Sequence, residues 1–288
     1  MALLGWRLTA GFIDKGKLYD TDAGVPQGGT ISPTLMLLTL RGLEKAAKSV
    51  APRKNQKVNT IAYADDFIIT GASKEILTDK VKPAVEAFLA ERGLILSVEK
   101  THITNIQDGF DFLGFNVRKY KQKLLIKPTK ANVLAHIKKL KATIRKGQSL
   151  KSETLILLLN SQLRGWANYY RASVASAAFK YVDKKVFDEI WRMLKRRHTN
   201  KPKGWLIKKH YQITNGNTWS FRAKYRNKSK EQKTAYLLKI SSIKIRRHTK
   251  IKSDANPYNP DYKDYFIKRN RKLDKVSHAP IQKPSADL

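Results

Sequence analysis

The sequence predicts an α+β protein: antiparallel strands with packed helices first, a helical bundle next, and a basic irregular region last. Short β-rich apolar runs flank turn residues within the first 115 positions. From residue 131 onward, apolar residues recur every three or four positions, as they do in helices. The charge balance also changes between these two parts, which indicates two modules with different tasks.

The chain has 288 residues, with 58 Lys and Arg against 23 Asp and Glu, a net charge of +35. Residues 1–115 hold 14 basic and 13 acidic side chains, whereas residues 116–288 hold 44 basic and 10 acidic ones. So large a one-sided excess predicts a polyanionic partner, first of all nucleic acid. Hydrophobic residues make up 41% of the chain, which excludes wholesale disorder. The lack of cysteine excludes disulfides, thiolate zinc sites and cysteine nucleophiles.

No membrane partner is expected. Apolar stretches such as Leu155–Leu159 are far shorter than the roughly 20 residues that a membrane-spanning helix needs. The first seven residues lack the basic segment and apolar core of a secretory signal.

The first element in chain order is a tight loop followed by a helix. Residues 24–33 contain three glycines and two prolines, so the backbone can approach a ligand closely. The loop has neither the Gly-Lys-Ser/Thr of a phosphate-binding loop nor the spacing of a dinucleotide-binding one. Ser32 is the predicted N-cap of the helix and Pro33 lies in its first turn.

The next element is an acidic turn. Residues 61–70 form an apolar run, two carboxylates and a second apolar run, which predicts two buried strands around Asp65 and Asp66. Two interpretations are open. The pair is either a solvated hairpin turn, since Asp favours turns, or a rigid carboxylate pair that binds Mg²⁺ for phosphoryl transfer.

Two further patterns complete the near-neutral module. Residues 88–101 predict a helix that stops at Gly93 and then a strand. Phe110–Phe115 predicts an aromatic strand that contains Gly114. Such a strand is either plain core or a surface that grips a nucleic-acid backbone.

In this order and spacing, the four motifs resemble the palm of a group II intron-encoded reverse transcriptase. They are Gly-Val-Pro-Gln-Gly-Gly at 24–29, Tyr-Ala-Asp-Asp at 63–66, Gly-Leu-Ile-Leu-Ser-Val-Glu-Lys-Thr at 93–101 and Phe-Leu-Gly-Phe at 112–115. The resemblance implies that Asp65 and Asp66 bind two Mg²⁺ ions and that Lys100 donates a proton to the leaving pyrophosphate. It also implies deoxynucleoside triphosphates, an RNA template and target DNA as partners. The remaining residues implied in substrate binding are Pro26, Gln27, Gly28, Gly29, Tyr63, Ala64, Phe112, Leu113 and Gly114.

The sequence departs from this family at its beginning. Such polymerases use a third Asp upstream of the Gly-Pro-Gln loop and a fingers region before that, but only 23 residues precede Gly24. Neither Asp14, Asp20 nor Asp22 matches the third Asp. We therefore expect little or no polymerase activity from this chain alone, unless an N-terminal fingers fragment supplies the missing parts. We also expect an exposed sheet edge and exposed apolar surface.

Three amphipathic helices are predicted in the basic part of the chain, and they suggest a bundle. Gly147 ends the first helix, Ser152 caps the second, and the third ends in the basic residues 195–198. The apolar stripes that predict the bundle core are Val133, Ile137, Leu140 and Ile144; Leu155, Leu159, Leu163, Trp166 and Tyr170; and Phe179, Val182, Val186, Ile190 and Leu194.

Residues 159–171 mix arginine, amide and aromatic side chains, which suits RNA because cations engage phosphates and rings stack on bases. Together with residues 191–206 this stretch resembles the maturase domain of group II intron proteins, which implies intron RNA as a partner. The predicted RNA-binding residues are Arg164, Trp166, Tyr169, Tyr170, Arg171, Arg196 and Arg197.

The predicted domains are a partial palm at 1–115, a helical thumb/maturase domain at 116–210 and a basic nucleic-acid-binding region at 211–288. In the last, 215–217 predict a turn and 219–225 a strand. Residues 256–260 resemble the lead-in to the family's endonuclease, which the remaining 28 residues do not contain. The six histidines show no clustered spacing and receive no catalytic role; His198 and His210 are placed on the RNA-binding face.

Two functions stay open at this point. The chain is either part of an RNA-directed DNA polymerase with maturase activity or a non-catalytic RNA-binding splicing factor. A generic basic nucleic-acid-binding protein does not account for the ordered motifs. The bacterial cytoplasm is the expected location.

Overall fold

A computed structural model describes residues 12–14, 16–19, 31–214, 218–226, 230–247, 249–252 and 255–277. The chain divides into two compact units, residues 1–105 and 106–288, and each is described by itself. Both combine helices with antiparallel strands, which confirms the α+β class. In the part of the chain given above, no helix has the length and apolarity needed to span a bilayer.

Among its described residues, the first unit contains two hairpins and three α-helices. Strands β1 (Phe12–Asp14) and β2 (Lys17–Tyr19) form one antiparallel pair, and β3 (Asn59–Tyr63) and β4 (Asp66–Thr70) form the other. The helices are α1 (Ser32–Thr39), α2 (Leu43–Ser49) and α3 (Lys82–Ala90), the last preceded by a π-helical turn at Ile76–Val81.

The core of the first unit lies between α2, α3 and the β3–β4 hairpin. The predicted cap of α1 is wrong by one position, because Ile31 is the N-cap and Ser32 is the first residue of the helix. Pro33 lies in the first turn, as predicted. The buried residues of this core are Leu43, Ala47, Ala51, Val58, Val81, Val85, Phe88 and Leu89.

Helix α3 ends before Gly93, whose φ is +67°, as the sequence predicts. The strand expected after it does not form. Leu94 and Leu96 pack against the core while Ile95 is exposed, so the side chains alternate although the backbone pairs with no other described strand.

The second unit begins with a three-stranded sheet of β5 (Phe110–Phe112), β6 (Phe115–Tyr120) and β7 (Lys123–Pro128). This sheet crosses residue 115, where the charge balance changes. Helices α4 (Lys130–Lys146), α5 (Ser152–Tyr170), α6 (Ser176–Arg197) and α7 (Lys203–His210) follow. A second sheet contains β8 (Tyr211–Thr214), β9 (Thr218–Arg226) and β10 (Gln232–Tyr236), and α8 (Lys263–Ser277) comes last.

The predicted bundle is confirmed, because helices α4, α5 and α6 bury their apolar stripes in one core. Every residue of the three predicted stripes is buried except Trp166, which is half-buried. Gly147 ends α4, as predicted, but Lys151 rather than Ser152 is the N-cap of α5. The strand predicted at 219–225 is β9, the turn predicted at 215–217 lies outside the described residues, and α8 was not predicted.

Candidate nucleic-acid and metal sites

Asp65 and Asp66 lie at the turn of the β3–β4 hairpin, as the sequence predicts. Tyr63 pairs with Asp66, which leaves Ala64 and Asp65 as a two-residue turn. Ala64 has a φ of +52°, a left-handed conformation that residues with a Cβ adopt only at a cost. Strain of this kind is often retained where a site needs a fixed geometry.

The prediction that both strands are buried is wrong. Ile61 is 56% exposed and Tyr63 is 65% exposed, because the two-stranded sheet has no further strand beside it among the described residues. Leu37 and Leu38 on α1 are also more than half exposed. The expected exposure of apolar surface in this unit is therefore observed.

The chemistry of the acidic turn suits a hard cation, since Mg²⁺ prefers carboxylate oxygens. Asp65 and Asp66 are both exposed and supply two such groups. Within the described ranges, no three His, Cys, Asp or Glu side chains come together as a metal site.

The other residues predicted around this turn are distributed as follows. Lys100 lies in an exposed turn at 98–100. The loop residues Pro26, Gln27, Gly28 and Gly29 lie outside the described residues.

The Phe-Leu-Gly-Phe motif forms a hairpin rather than a single strand. Phe112 pairs with Phe115, and the turn between them consists of Leu113 and Gly114 with φ values of +48° and +77°. Positive φ at both central residues is the signature of a type I′ turn, whose twist matches that of the strands. The prediction of a glycine within a strand is therefore corrected.

Two aromatic residues predicted to bind RNA lie in the core of the second unit. Tyr170 is only 2% exposed, so its ring is not available to stack on a base. Trp166 is half-buried and stacks on His136, with ring centroids 4.7 Å apart and planes 2° apart. Tyr169 is 54% exposed, yet its hydroxyl donates to the Leu113 carbonyl at 2.8 Å.

Arg197, which is predicted to bind RNA, makes several hydrogen bonds within the second unit. Its guanidinium donates to the carbonyls of Gly147 (3.3 Å), Gln148 and Leu150 (3.1 Å) in the α4–α5 connection. It also reaches the Ser152 hydroxyl at 3.4 Å. The guanidinium of Arg197 therefore already has acceptors within the protein.

The remaining predicted arginines differ in their surroundings. Arg196 is exposed, and its side chain makes no hydrogen bond or ion pair within the described part of the chain. Arg164 is half-buried on α5. Arg171 donates to the Asn168 side chain at 3.5 Å, while its Nε is buried without a partner among the described residues. Of the predicted set, Arg196 is therefore the cation most open to a phosphate.

His198 and His210 form a pair that their sequence spacing does not reveal. Helix α7 brings His210, its last residue, next to His198, so that the Nε2 atoms of the two rings lie 3.3 Å apart. His210 is buried, which corrects its placement on an RNA-binding face. Burial lowers the pKa of His210 to about 4, helped by the neighbouring His198, Lys209 and Arg197. The two ring nitrogens lie within hydrogen-bonding distance, and the tautomers decide which of them donates.

Glu189 is a buried charge that the sequence analysis missed. It is 3% exposed on α6 and pairs with Lys141 at 3.2 Å and with Arg192 at 3.0 Å. The Arg192 pair has helical spacing of three residues and could have been found from sequence. The Lys141 pair joins α6 to α4 and has no sequence signal.

Acid should destabilise the second unit through its two buried histidines. Burial lowers the pKa of His136 to about 4, as it does for His210. Both pKa values lie below the unfolded value of about 6.5, so the unfolded chain binds more protons between these limits and stability falls as the pH falls. We expect a loss of about 1–2 kcal/mol per histidine from pH 7 to pH 5, after allowance for partial solvent access.

Urea denaturation at pH 7, 6 and 5, followed by tryptophan fluorescence, measures this loss. His102 is an exposed residue outside the second unit's core, so His102→Asn should keep the full pH dependence. A pH-independent unfolding free energy would contradict the assignment of neutral buried imidazoles.

Comparison with known protein families gives two matches, one that includes the acidic hairpin and one that includes the basic bundle. Residues 8–117 match the family "Reverse transcriptase (RNA-dependent DNA polymerase)" and residues 133–211 match "Group II intron, maturase-specific domain". Together the matches cover roughly two thirds of the chain. The two matches, taken together, support an intron-encoded reverse transcriptase/maturase.

A curated relative with significant similarity is protein YkfC of Escherichia coli (strain K12). The two sequences are 33% identical over a region that covers 40% of this chain and 37% of YkfC. The chain thus matches little more than a third of the relative's length.

Proposed function

We propose that this chain contributes the palm, thumb and maturase parts of a group II intron reverse transcriptase. Residues 1–115 act as a partial palm, 116–210 as the helical thumb/maturase domain and 211–288 as a basic region that binds nucleic acid. The main support is that one chain carries both the strained Tyr-Ala-Asp-Asp turn and the basic helical bundle. Its partners are then intron RNA, an RNA template and target DNA.

In RNA-directed DNA synthesis, Asp65 and Asp66 would hold Mg²⁺, which stabilises charge on the attacking and leaving oxygens. The protein contributes the fixed position of the two carboxylates, which the two-residue turn holds in place. Lys100 lies in an exposed turn and would donate a proton to pyrophosphate. Tyr63, Ala64 and Phe112–Gly114 would contact the nucleotide and the primer strand.

We further propose that residues 1–288 alone do not polymerise DNA, because within the described residues no third carboxylate joins Asp65 and Asp66, and the chemistry needs one. The alternative is a splicing factor that binds intron RNA without catalysis. The net charge of +34 in residues 116–288 favours RNA binding in both cases.

Primer extension on an RNA template with Mg²⁺ separates the two functions. We expect no extension by the purified chain, and extension after addition of a family fingers fragment that carries the third Asp. Asp65→Ala should lower the restored rate by at least about 10³-fold, because it removes a ligand of both ions. Glu99→Ala, which removes an exposed carboxylate near Lys100, is the matched control and should have little effect.

Binding of structured intron RNA is measured in the same preparations at several salt concentrations. Steep salt dependence without extension under any condition would favour the non-catalytic splicing factor. Extension by the chain alone would contradict the proposed inactivity, and absence of RNA binding would contradict both functions.

A further inference from the structure

The type I′ turn at Leu113 and Gly114 is held by residues that lie 56 positions further along the chain. The Tyr169 hydroxyl donates to the Leu113 carbonyl at 2.8 Å, and the Tyr170 hydroxyl donates to the Gly114 carbonyl at 3.2 Å. Both central carbonyls of the turn are thus bound by two consecutive tyrosines at the end of helix α5. In an ordinary hairpin, such carbonyls bind water.

Four more contacts reinforce this arrangement. The Asn132 side chain donates to the Tyr170 hydroxyl at 3.0 Å, and the Thr129 backbone N–H donates to the Gly114 carbonyl at 3.0 Å. The Phe115 ring stacks on Tyr169 with centroids 5.2 Å apart and meets Tyr170 edge-on at 5.0 Å. The turn, the start of α4 and the end of α5 therefore form one connected network.

We propose that Tyr169 and Tyr170 are positioning residues that fix the Leu113–Gly114 turn for contact with the end of a primer strand. The inference rests on the proposed function, which places this turn at the primer. Leu113 at φ +48° is an unfavourable conformation that outside contacts must maintain, and the two hydroxyls supply them. The tyrosines thus act through the turn rather than by stacking on RNA bases.

The network also links two functions within one unit. Helix α5 carries Arg164 one and a half turns before Tyr169, and Arg171 follows Tyr170 directly. RNA bound at these arginines and a primer end held at the turn would then depend on the same helix. Loss of the two hydroxyls should disturb the turn and leave RNA affinity unchanged.

The absence of cysteine from the chain allows a direct test. Leu113→Cys introduces a single thiol. A primer with an activated disulfide on its 3′-terminal nucleotide, annealed to an RNA template, reports its proximity through thiol–disulfide exchange, which releases the leaving thiol. In the Tyr169→Phe/Tyr170→Phe background we expect the rate of crosslinking to fall about fivefold or more, as expected when two fixed hydrogen bonds are lost. Tyr181→Phe, an exposed tyrosine on α6, is the control and should leave the rate unchanged.

Intron RNA affinity and thermal unfolding are measured on every variant, because a purely structural role would alter melting without a selective effect on crosslinking. Equal crosslinking in the double variant and the Tyr181 control would overturn the proposal. No crosslinking even with wild-type tyrosines, in protein that binds intron RNA, would overturn the contact with the primer while the RNA-binding function stands.

Hydrogen exchange tests, in the absence of nucleic acid, whether the two tyrosines hold the Leu113–Gly114 turn. We expect peptides that span residues 110–118 to exchange faster in the double variant than in Tyr181→Phe. Unchanged exchange would overturn the positioning role regardless of the crosslinking result.

Discussion

Arg197→Ala is expected to lower the unfolding free energy of the second unit by about 2–4 kcal/mol, because charge-assisted hydrogen bonds to three carbonyls are lost. The carbonyls of Gly147, Gln148 and Leu150 lie in and just after the 3-10 turn that follows helix α4, beyond the regular hydrogen bonds of that helix. Arg197→Lys should lose roughly half of this stability, since an ammonium lacks the planar fork that reaches several acceptors.

The neighbouring Arg196 is a matched control, because it carries the same charge on the same helix but is exposed. Arg196→Ala should change stability by less than about 0.5 kcal/mol. If it contacts a phosphate, its loss should lower RNA affinity and reduce the slope of log K against log salt by about 1. Arg197→Ala should leave that slope unchanged.

Urea denaturation followed by tryptophan fluorescence reports mainly the second unit, which contains four of the five tryptophans. Equal stability of the Arg196 and Arg197 variants would show that the carbonyl contacts contribute little. A selective loss of salt slope in Arg197→Ala would restore the RNA contact predicted from sequence.

The comparison of these two arginines shows which features of the structure the sequence determines and which features it leaves open. Helices α4, α5 and α6 were predicted because a period of 3.6 residues is a local property and each apolar stripe faces one core. A guanidinium binds a carbonyl and a phosphate with the same donors. The sequence pattern around Arg197 therefore does not distinguish a loop within the protein from an RNA backbone.

The same reasoning explains the other differences between the sequence predictions and the structure. Tyr170 has an apolar ring and a polar tip, so it can serve either in a core or at a base, and its partner Gly114 lies 56 residues away. His198 and His210 meet only because α7 returns the chain. A strand also depends on a distant partner strand. The alternation of apolar and exposed side chains at 94–96 is visible in the sequence, but without a partner no strand forms there.

At the acidic turn, the positions of Asp65 and Asp66 followed from the flanking apolar runs, and the structure agrees. The left-handed Ala64 did not follow, because alanine carries no preference for positive φ. Metal binding and the other roles assigned to these residues remain predictions that the extension experiment addresses.

Gly114→Ala is expected to have an effect as large as that of Arg197→Ala, about 2–4 kcal/mol, for two separate reasons. The φ of Gly114 is +77°, which a residue with a Cβ adopts only with strain. A Cβ there would also lie 2.9 Å from the Tyr170 hydroxyl and even closer to the Asn132 amide, so both partners of the turn would have to move.

Gly165→Ala is the matched control, because Gly165 lies within α5 and a Cβ there meets no atom within 4 Å. That variant should be more stable than the wild type by about 0.5–1 kcal/mol, the difference in helix propensity between the two residues. Urea denaturation of both variants in the Tyr170→Phe background separates the causes. If the clash with Tyr170 contributes, the cost of Gly114→Ala should shrink when the hydroxyl is absent, whereas an unchanged cost would assign the effect to the backbone conformation and the contact with Asn132.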